Sequence, residues 1–244
     1  MSACTAGCPK TRKKMSETEP NRLIVEARHL VREVEGPTGK LTILDDVSLE
    51  VARGESVAIT GPSGSGKSTL VALLAGLDVP TAGDVVLAGE YLNRLDEDGR
   101  AQLRSGRVGF VFQAFYLMET LTARENVMLP LEIAGRKDAA QIATDWLDRV
   151  GLADRQDHYP RQLSGGEQQR VAISRAFAIE PQILFADEPT GNLDDKSSQH
   201  IAELLFSLCD SRQAALILVT HDSALAARCQ SRIALAGGRL VGAS

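Results

Sequence analysis

Along most of this chain, short apolar runs alternate with stretches of helical periodicity. Leu23 to Ala27 and Ile43 to Val51 read as strands, the second alternating through Val47, Leu49 and Val51. Ser56 to Thr60 is a short apolar strand running straight into Gly61, and Ser68 to Ala75 predicts a helix apolar on most faces and therefore buried. Gly83 to Leu87 and Val108 to Phe112 predict further strands. Between Gln113 and about Pro160 the character changes. Ala123 to Ile133 and Ala139 to Val150 carry helical periodicity with no strand between them, as expected of a small helical subdomain inserted into an α/β body. Beyond it, helices are predicted over Glu167 to Ala178 and Asp195 to Cys209, and strands over Gln182 to Ala186, Ala215 to Thr220 and Ile233 to Leu235. Strands alternating with helices imply a mostly parallel sheet.

Composition adds constraints. At 244 residues and 43% hydrophobic content the chain can bury a large core. Aromatics make up only 4%, with the single tryptophan Trp146, so the core must be built from Val, Leu, Ile and Ala, as a buried parallel sheet requires. A net charge of −5 and the absence of a long basic stripe argue against nucleic acid as the main ligand. The one basic cluster, Lys10 to Lys14, reads as part of a solvated, disordered tail over residues 1–20, and Met15 is a candidate translation start. Cys4, Cys8, Cys209 and Cys229 form no metal pattern; the last two fall in predicted helices as small apolar residues, and a reducing compartment is expected. No apolar run approaches the ~18 residues of a membrane span, nor does the N-terminus resemble a secretory signal, so a cytoplasmic protein is expected unless a partner holds it at a membrane.

The chemistry concentrates in glycine-rich and acidic segments. Gly61-Pro62-Ser63-Gly64-Ser65-Gly66-Lys67-Ser68-Thr69 has the spacing G-x-x-x-x-G-K-[ST] between a strand and a helix. The glycines let successive N–H groups turn inward toward an anion, the helix adds its positive end, Lys67 reaches the β- and γ-phosphates, and the Ser68 hydroxyl is a hard ligand for Mg²⁺. Chance would produce those four fixed positions in roughly one chain of this length in a hundred, so an accidental glycine turn is a poor explanation. Ile183 to Glu188 is an apolar strand ending in two carboxylates. Taken alone, such a pair is usually a helix cap or solvated turn. On a strand parallel and adjacent to the one feeding the phosphate loop, Asp187 would help hold the metal and Glu188 would activate the attacking water. Leu163-Ser164-Gly165-Gly166-Glu167-Gln168 opens a helix as a second anion site. By itself it reads as a well-capped helix; beside a first anion site it suggests a head-to-tail dimer in which it covers the partner's nucleotide.

These residues resemble the motifs of ABC ATPases. Gly61 to Ser68 looks like their Walker A motif, Ile183 to Glu188 like Walker B, and Ser164 to Gln168 like the signature. Gln113 resembles the Q-loop glutamine, Gly191-Asn192-Leu193-Asp194 the D-loop, and His221 in Val219-Thr220-His221-Asp222 the switch histidine. The six occur in the family's order, and the resemblance spans about Leu23 to Val241. It implies an ABC-type P-loop NTPase with a mostly parallel core sheet, an N-terminal antiparallel β subdomain and the inserted helical subdomain, about 113–160, within one domain over 21–244.

The resemblance also implies roles. ATP is the substrate and Mg²⁺ the cofactor. Gly61 to Thr69 and Asp187 bind ATP, and Ser68, Gln113 and Asp187 hold the metal. Glu188, His221 and Gln113 are catalytic, with Glu188 the general base. Ser164, Gly165, Gly166 and Glu167 meet the ATP of the partner in a homodimer, and Asp194 links the two sites. One departure concerns adenine: the family's stacking aromatic would fall near Val34, but no aromatic lies between Asn21 and Ser56. Apolar contact and relaxed base selectivity are therefore expected.

The loop Phe115-Tyr116-Leu117-Met118 resembles a docking site beside the Q-loop, or else Phe115 and Leu117 are buried in the helical subdomain. Leu73 to Asp78, Glu125-Asn126-Val127 to Pro130, and Phe185 to Asp194 resemble the lipoprotein-release and macrolide-export group (LolD, MacB and FtsE types). Leu204 to Leu208 and Leu225 to Cys229 look most like its YbbA type. That group implies a separate permease of the MacB/FtsX type and export or extraction of substrate from the membrane. It also implies a peripheral position on the cytoplasmic face of a Gram-negative inner membrane. Two other classes compete: a signalling motor controlling a periplasmic enzyme, and a soluble translation or repair factor. One ATPase domain and no heptad run count against the latter.

Overall fold

A computed structural model describes residues 23–36 and 39–243. The tail with Cys4, Cys8, Lys10 to Lys14 and Met15 lies outside them. Two sheets organise the chain. The first is antiparallel, ordered β2-β1-β4-β5, from β1 (Leu23–Gly36), β2 (Gly39–Ala52), β4 (Ala82–Leu87) and β5 (Glu90–Tyr91). The second is ordered β10-β9-β3-β8-β7-β6. It contains β3 (Ser56–Thr60), β6 (Val108–Phe112), β7 (Ile183–Asp187), β8 (Ala215–Val219), β9 (Ser231–Ala236) and β10 (Arg239–Ala243). All its pairs are parallel except the terminal β9–β10 hairpin. The fold is the α/β P-loop architecture expected from the sequence.

The helices are α1 (Lys67–Leu74), α2 (Glu97–Arg104), α3 (Ala123–Ile133), α4 (Ala139–Arg149), α5 (Gly165–Ala178), α6 (Asp195–Arg212) and the short α7 (Ser223–Ala226). The central strands are buried on both faces, and their side chains alternate between two cores. Leu184, Ala186, Leu216 and Leu218 join the helical side with Trp146 and Phe177. Ile183, Phe185, Ile217 and Val219 join the side holding α1 and the antiparallel sheet.

Four differences from the sequence reading have physical causes. β1 and β2 run well past the apolar runs, because their polar ends pair only with each other, from Arg32 opposite Leu44 to Gly36 opposite Gly39. Helix α2 was invisible to periodicity, since only Leu103 is buried; it is held by Asp96, whose carboxylate accepts from the Gly99 N–H at 2.8 Å. β10 follows a two-glycine turn, Gly237 and Gly238, both at positive φ, which suits a tight hairpin. Cys209 lies in α6, but Cys229 sits in the turn after α7; both are buried, and burial pushes their thiols up to about 12 and about 11.

A fifth difference concerns the site itself. The strand carrying the acid pair, β7, is parallel to β3 but not its neighbour, because β8 lies between them. Two strand spacings, roughly 10 Å, must therefore be bridged. The phosphate loop and the first turn of α1 do this by carrying Ser68 across the end of β8.

Candidate nucleotide site

The loop between β3 and α1 is shaped by its glycines. Gly61 (φ 144) and Gly66 (φ 102) adopt backbone forbidden to other residues. A Cβ on Gly61 would stand 2.1 Å from the Leu235 carbonyl oxygen, so β9 closes directly on the loop. Gly66 is the N-cap of α1 and supplies no side-chain cap. The first N–H groups of that helix are thus left for an anion. Lys67 Nζ donates to the carbonyls of Gly61 and Pro62, each at 2.9 Å, which holds the ammonium over the loop.

Across the cleft, Ser68 Oγ donates to Asp187 Oδ2 at 3.2 Å. Burial raises the Asp187 carboxyl above its ordinary value, and the adjacent Glu188 charge adds to this. The Ser68 hydrogen bond and Lys67 act against it. Glu188 takes a left-handed turn (φ 49), an uncommon conformation for a non-glycine residue and one concentrated at functional sites. Its carboxylate meets His221 Nδ1 at 2.9 Å. That hydrogen bond, then the Glu188 charge, raises the imidazole above its ordinary value. The pairing is therefore complete below the ordinary histidine range and is lost as pH rises through the raised value.

Ser63, Gly64, Gly66, Lys67, Ser68, Thr69, Gln113, Asp187 and Glu188 line one cleft of 560 Å³. The Gln113 side chain donates through Nε2 to Asn192 Oδ1 at 2.9 Å. Leu41 and Ile43 of β2 line the same cleft, and Leu41 stands directly opposite Val34 in the β1–β2 ladder. Among the described residues, no aromatic lines this cleft. An apolar wall without a hydrogen-bonding group discriminates weakly between purine edges. GTP turnover should lie within about tenfold of ATP turnover; a GTPase rate far below that would overturn this account.

The segment Ser164 to Glu167 does not line the cleft. It opens α5 as a capping box: Ser164 Oγ accepts from the Glu167 N–H at 3.4 Å, and the Ser164 N–H donates to Glu167 Oε2 at 2.8 Å. Asp194 likewise caps α6, accepting from the Ser197 N–H at 3.0 Å. Three polar residues that the sequence reading assigned no role tie these parts together. Gln169, fully buried, donates to the Pro189 carbonyl at 2.6 Å, joining α5 to the segment after Glu188. Arg175 of α5 donates to the carbonyls of Phe115 (2.9 Å) and Tyr116 (2.6 Å). Asn126 of α3, also fully buried, bonds Met118, Leu121 and Thr122 main-chain groups. A buried amide on an otherwise apolar helix face was the available signal for Gln169 and Asn126.

The loop after Gln113 divides between the two readings. Leu117 packs against the helical-side core and Phe115 is half-buried, while Tyr116 is 64% and Met118 49% exposed.

The chain is similar to proteins of one family. A family model described as ABC transporter matches residues 44–191. The ABC transporter ATP-binding protein YbbA of Escherichia coli (strain K12) is 52% identical over 223 residues, covering 91% of this chain and 98% of that protein. The lipoprotein-releasing system ATP-binding protein LolD of Legionella pneumophila (strain Paris) is 43% identical over 222 residues, 90% of this chain and 98% of its own. Among solved structures, the ATP-binding cassette MJ0796, a dimer in a post-hydrolysis state bound to ADP and Pi, is similar with a TM-score of 0.84 at 38% identity. That match covers 90% of this chain and 97% of the other.

Proposed function

The chain belongs to the ABC transporter ATP-binding family and is an ATPase, and from that premise we propose that it drives a separate inner-membrane permease of the MacB/FtsX type, exporting substrate or extracting it from the membrane. It sits on the cytoplasmic face as a peripheral homodimer. No helix among the described residues is long and apolar enough to cross a membrane, and in this reading the permease supplies the path.

The observation that carries this reading is a cleft in which the phosphate loop, Gln113, Asp187 and Glu188 converge. Lys67 trades its loop carbonyls for the β- and γ-phosphates of ATP, and the loop N–H groups with the start of α1 cradle them. Mg²⁺ suits the donor set, since Ser68, Asp187 and Gln113 all offer hard oxygens and the first two already lie within a hydrogen bond of each other. Bound there with ATP, it would neutralise phosphate charge. Glu188 orients the attacking water and takes its proton; His221, released from Glu188, holds the γ-phosphate. Ser164 and Gly166 of the partner subunit close over that phosphate, with Ser164 exchanging its Glu167 contact for it, and Asp194 relates the two sites. The dimeric state of the MJ0796 cassette and its bound ADP and Pi support this arrangement. The exposed Tyr116 and Met118 offer the permease an apolar foothold beside Gln113.

A pull-down from detergent-solubilised membranes tests the machine. A Glu188→Gln variant with ATP should bring down one multi-spanning permease in equal amount. Ribosomes or DNA-repair proteins in its place would leave the ATPase chemistry standing and remove the transporter assignment.

A further inference from the structure

Gln113 has two ends, and only one can hold a cation. A carboxamide presents an oxygen acceptor and an NH₂ donor on the same planar group. If its NH₂ faced the metal side, Gln113 would oppose Mg²⁺ rather than bind it. The contacts around Asn192 settle which end faces where.

The main-chain carbonyl of Gln113 can only accept a hydrogen bond. Asn192 bonds it at 3.1 Å, so Asn192 must present Nδ2 there. The Asn192 Oδ1 is then the atom left for the Gln113 side chain, and an acceptor at that position requires the Nε2 end of Gln113, found at 2.9 Å. With Nε2 engaged, the Gln113 Oε1 is turned away from Asn192. Gln113, Asn192, Ser68 and Asp187 all line one recess of 280 Å³, so the amide borders the space where Ser68 already meets Asp187. Gly191 completes the arrangement from the other side. A Cβ there would come 2.8 Å from Gln113 Nε2 and 3.0 Å from its Cδ, so the amide packs directly on the glycine.

We propose that Asn192 is a positioning residue that orients the Gln113 amide so that its oxygen, not its nitrogen, faces the metal, with Gly191 providing the space. This rests on the reading of Gln113 as an Mg²⁺ ligand. It also ties the grip on one site's metal to the segment that leads into Asp194 and α6, since Asn192 and Asp194 are separated by Leu193 alone.

The test measures how much Mg²⁺ strengthens nucleotide binding. A fluorescent ATP analogue is titrated into the full chain in saturating Mg²⁺ and again in EDTA, and the ratio of the two dissociation constants is the metal gain. Four variants are compared with the native chain: Gln113→Ala, Asn192→Ala, Gly191→Ala, and the double Gln113→Ala/Asn192→Ala. The expected result is a several-fold loss of metal gain in each single variant, with EDTA affinity unchanged. The double variant should be no worse than Gln113→Ala, because Asn192 acts through Gln113. Additive losses in the double variant, or a native metal gain in Asn192→Ala while Gln113→Ala loses it, would overturn the proposal and leave the metal role of Gln113 intact. A native metal gain in Gln113→Ala would overturn both. Gly191→Ala leaves the Asn192 side chain in place, so its loss of metal gain reports displacement of Gln113 itself.

Discussion

Glu188→Gln is expected to lower ATP turnover by about a hundred- to ten-thousandfold, the range associated with loss of a general base, while ATP affinity stays near native. The substitution keeps the shape of the side chain and its left-handed position but removes the charge that draws a proton from water. ATP then binds without being consumed, and closed dimers should accumulate; size-exclusion chromatography in ATP against ADP measures this directly. A second signature separates the chemistry from misfolding. The first cause of the raised His221 pKa is its hydrogen bond to Glu188, followed by the Glu188 charge. In the variant His221 should release its proton at lower pH than in the native protein, which an NMR titration of the imidazole reads. Turnover within tenfold of native would remove Glu188 from the role of base, and an unmoved His221 titration would remove the Glu188 contact as the cause of the raised imidazole.

Gly61→Ala should cost roughly 4 kcal/mol of stability, combining left-handed strain with a backbone overlap that cannot relax locally. The new Cβ would lie 2.1 Å from the Leu235 carbonyl and 3.0 Å from Ser65 Oγ. The obstacle is the main chain of β9, anchored on one side by β3 and on the other by β10. In a domain of this size the loss corresponds to a melting temperature lower by roughly 8–16 °C. Gly64→Ala is the internal control: its φ is 76, yet a Cβ there meets nothing within 4 Å. Only the strain remains, so its shift should be under half as large. Equal shifts in the two variants would mean that backbone strain alone, not the closeness of β9, sets the cost.

Local sequence determined the elements whose signal is local. Ala123–Ile133 and Val108–Phe112 were legible to the residue, because one alternates at helical period between apolar core positions and the other is a short run buried on both faces. The phosphate loop was legible for a similar reason: an anion cradle needs glycines, a lysine and a hydroxyl within one turn of chain, so its whole chemistry is contiguous. Relations between distant segments were not legible. Nothing in Ile183 to Glu188 says that β8 will intervene between it and β3, since strand order depends on how the crossover helices pack. Nothing in Asn192 marks it as the partner of Gln113, 79 residues away, because a single exposed amide carries no periodicity. By itself, then, the sequence determined that this chain would be a phosphate-binding α/β domain, from motifs whose physics is complete within a few residues. The tertiary structure alone decided which side chains meet across the cleft, Ser68 with Asp187, Glu188 with His221 and Gln113 with Asn192, because hydrogen bonds of a few ångströms are set only when the sheet brings separate loops to the same edge.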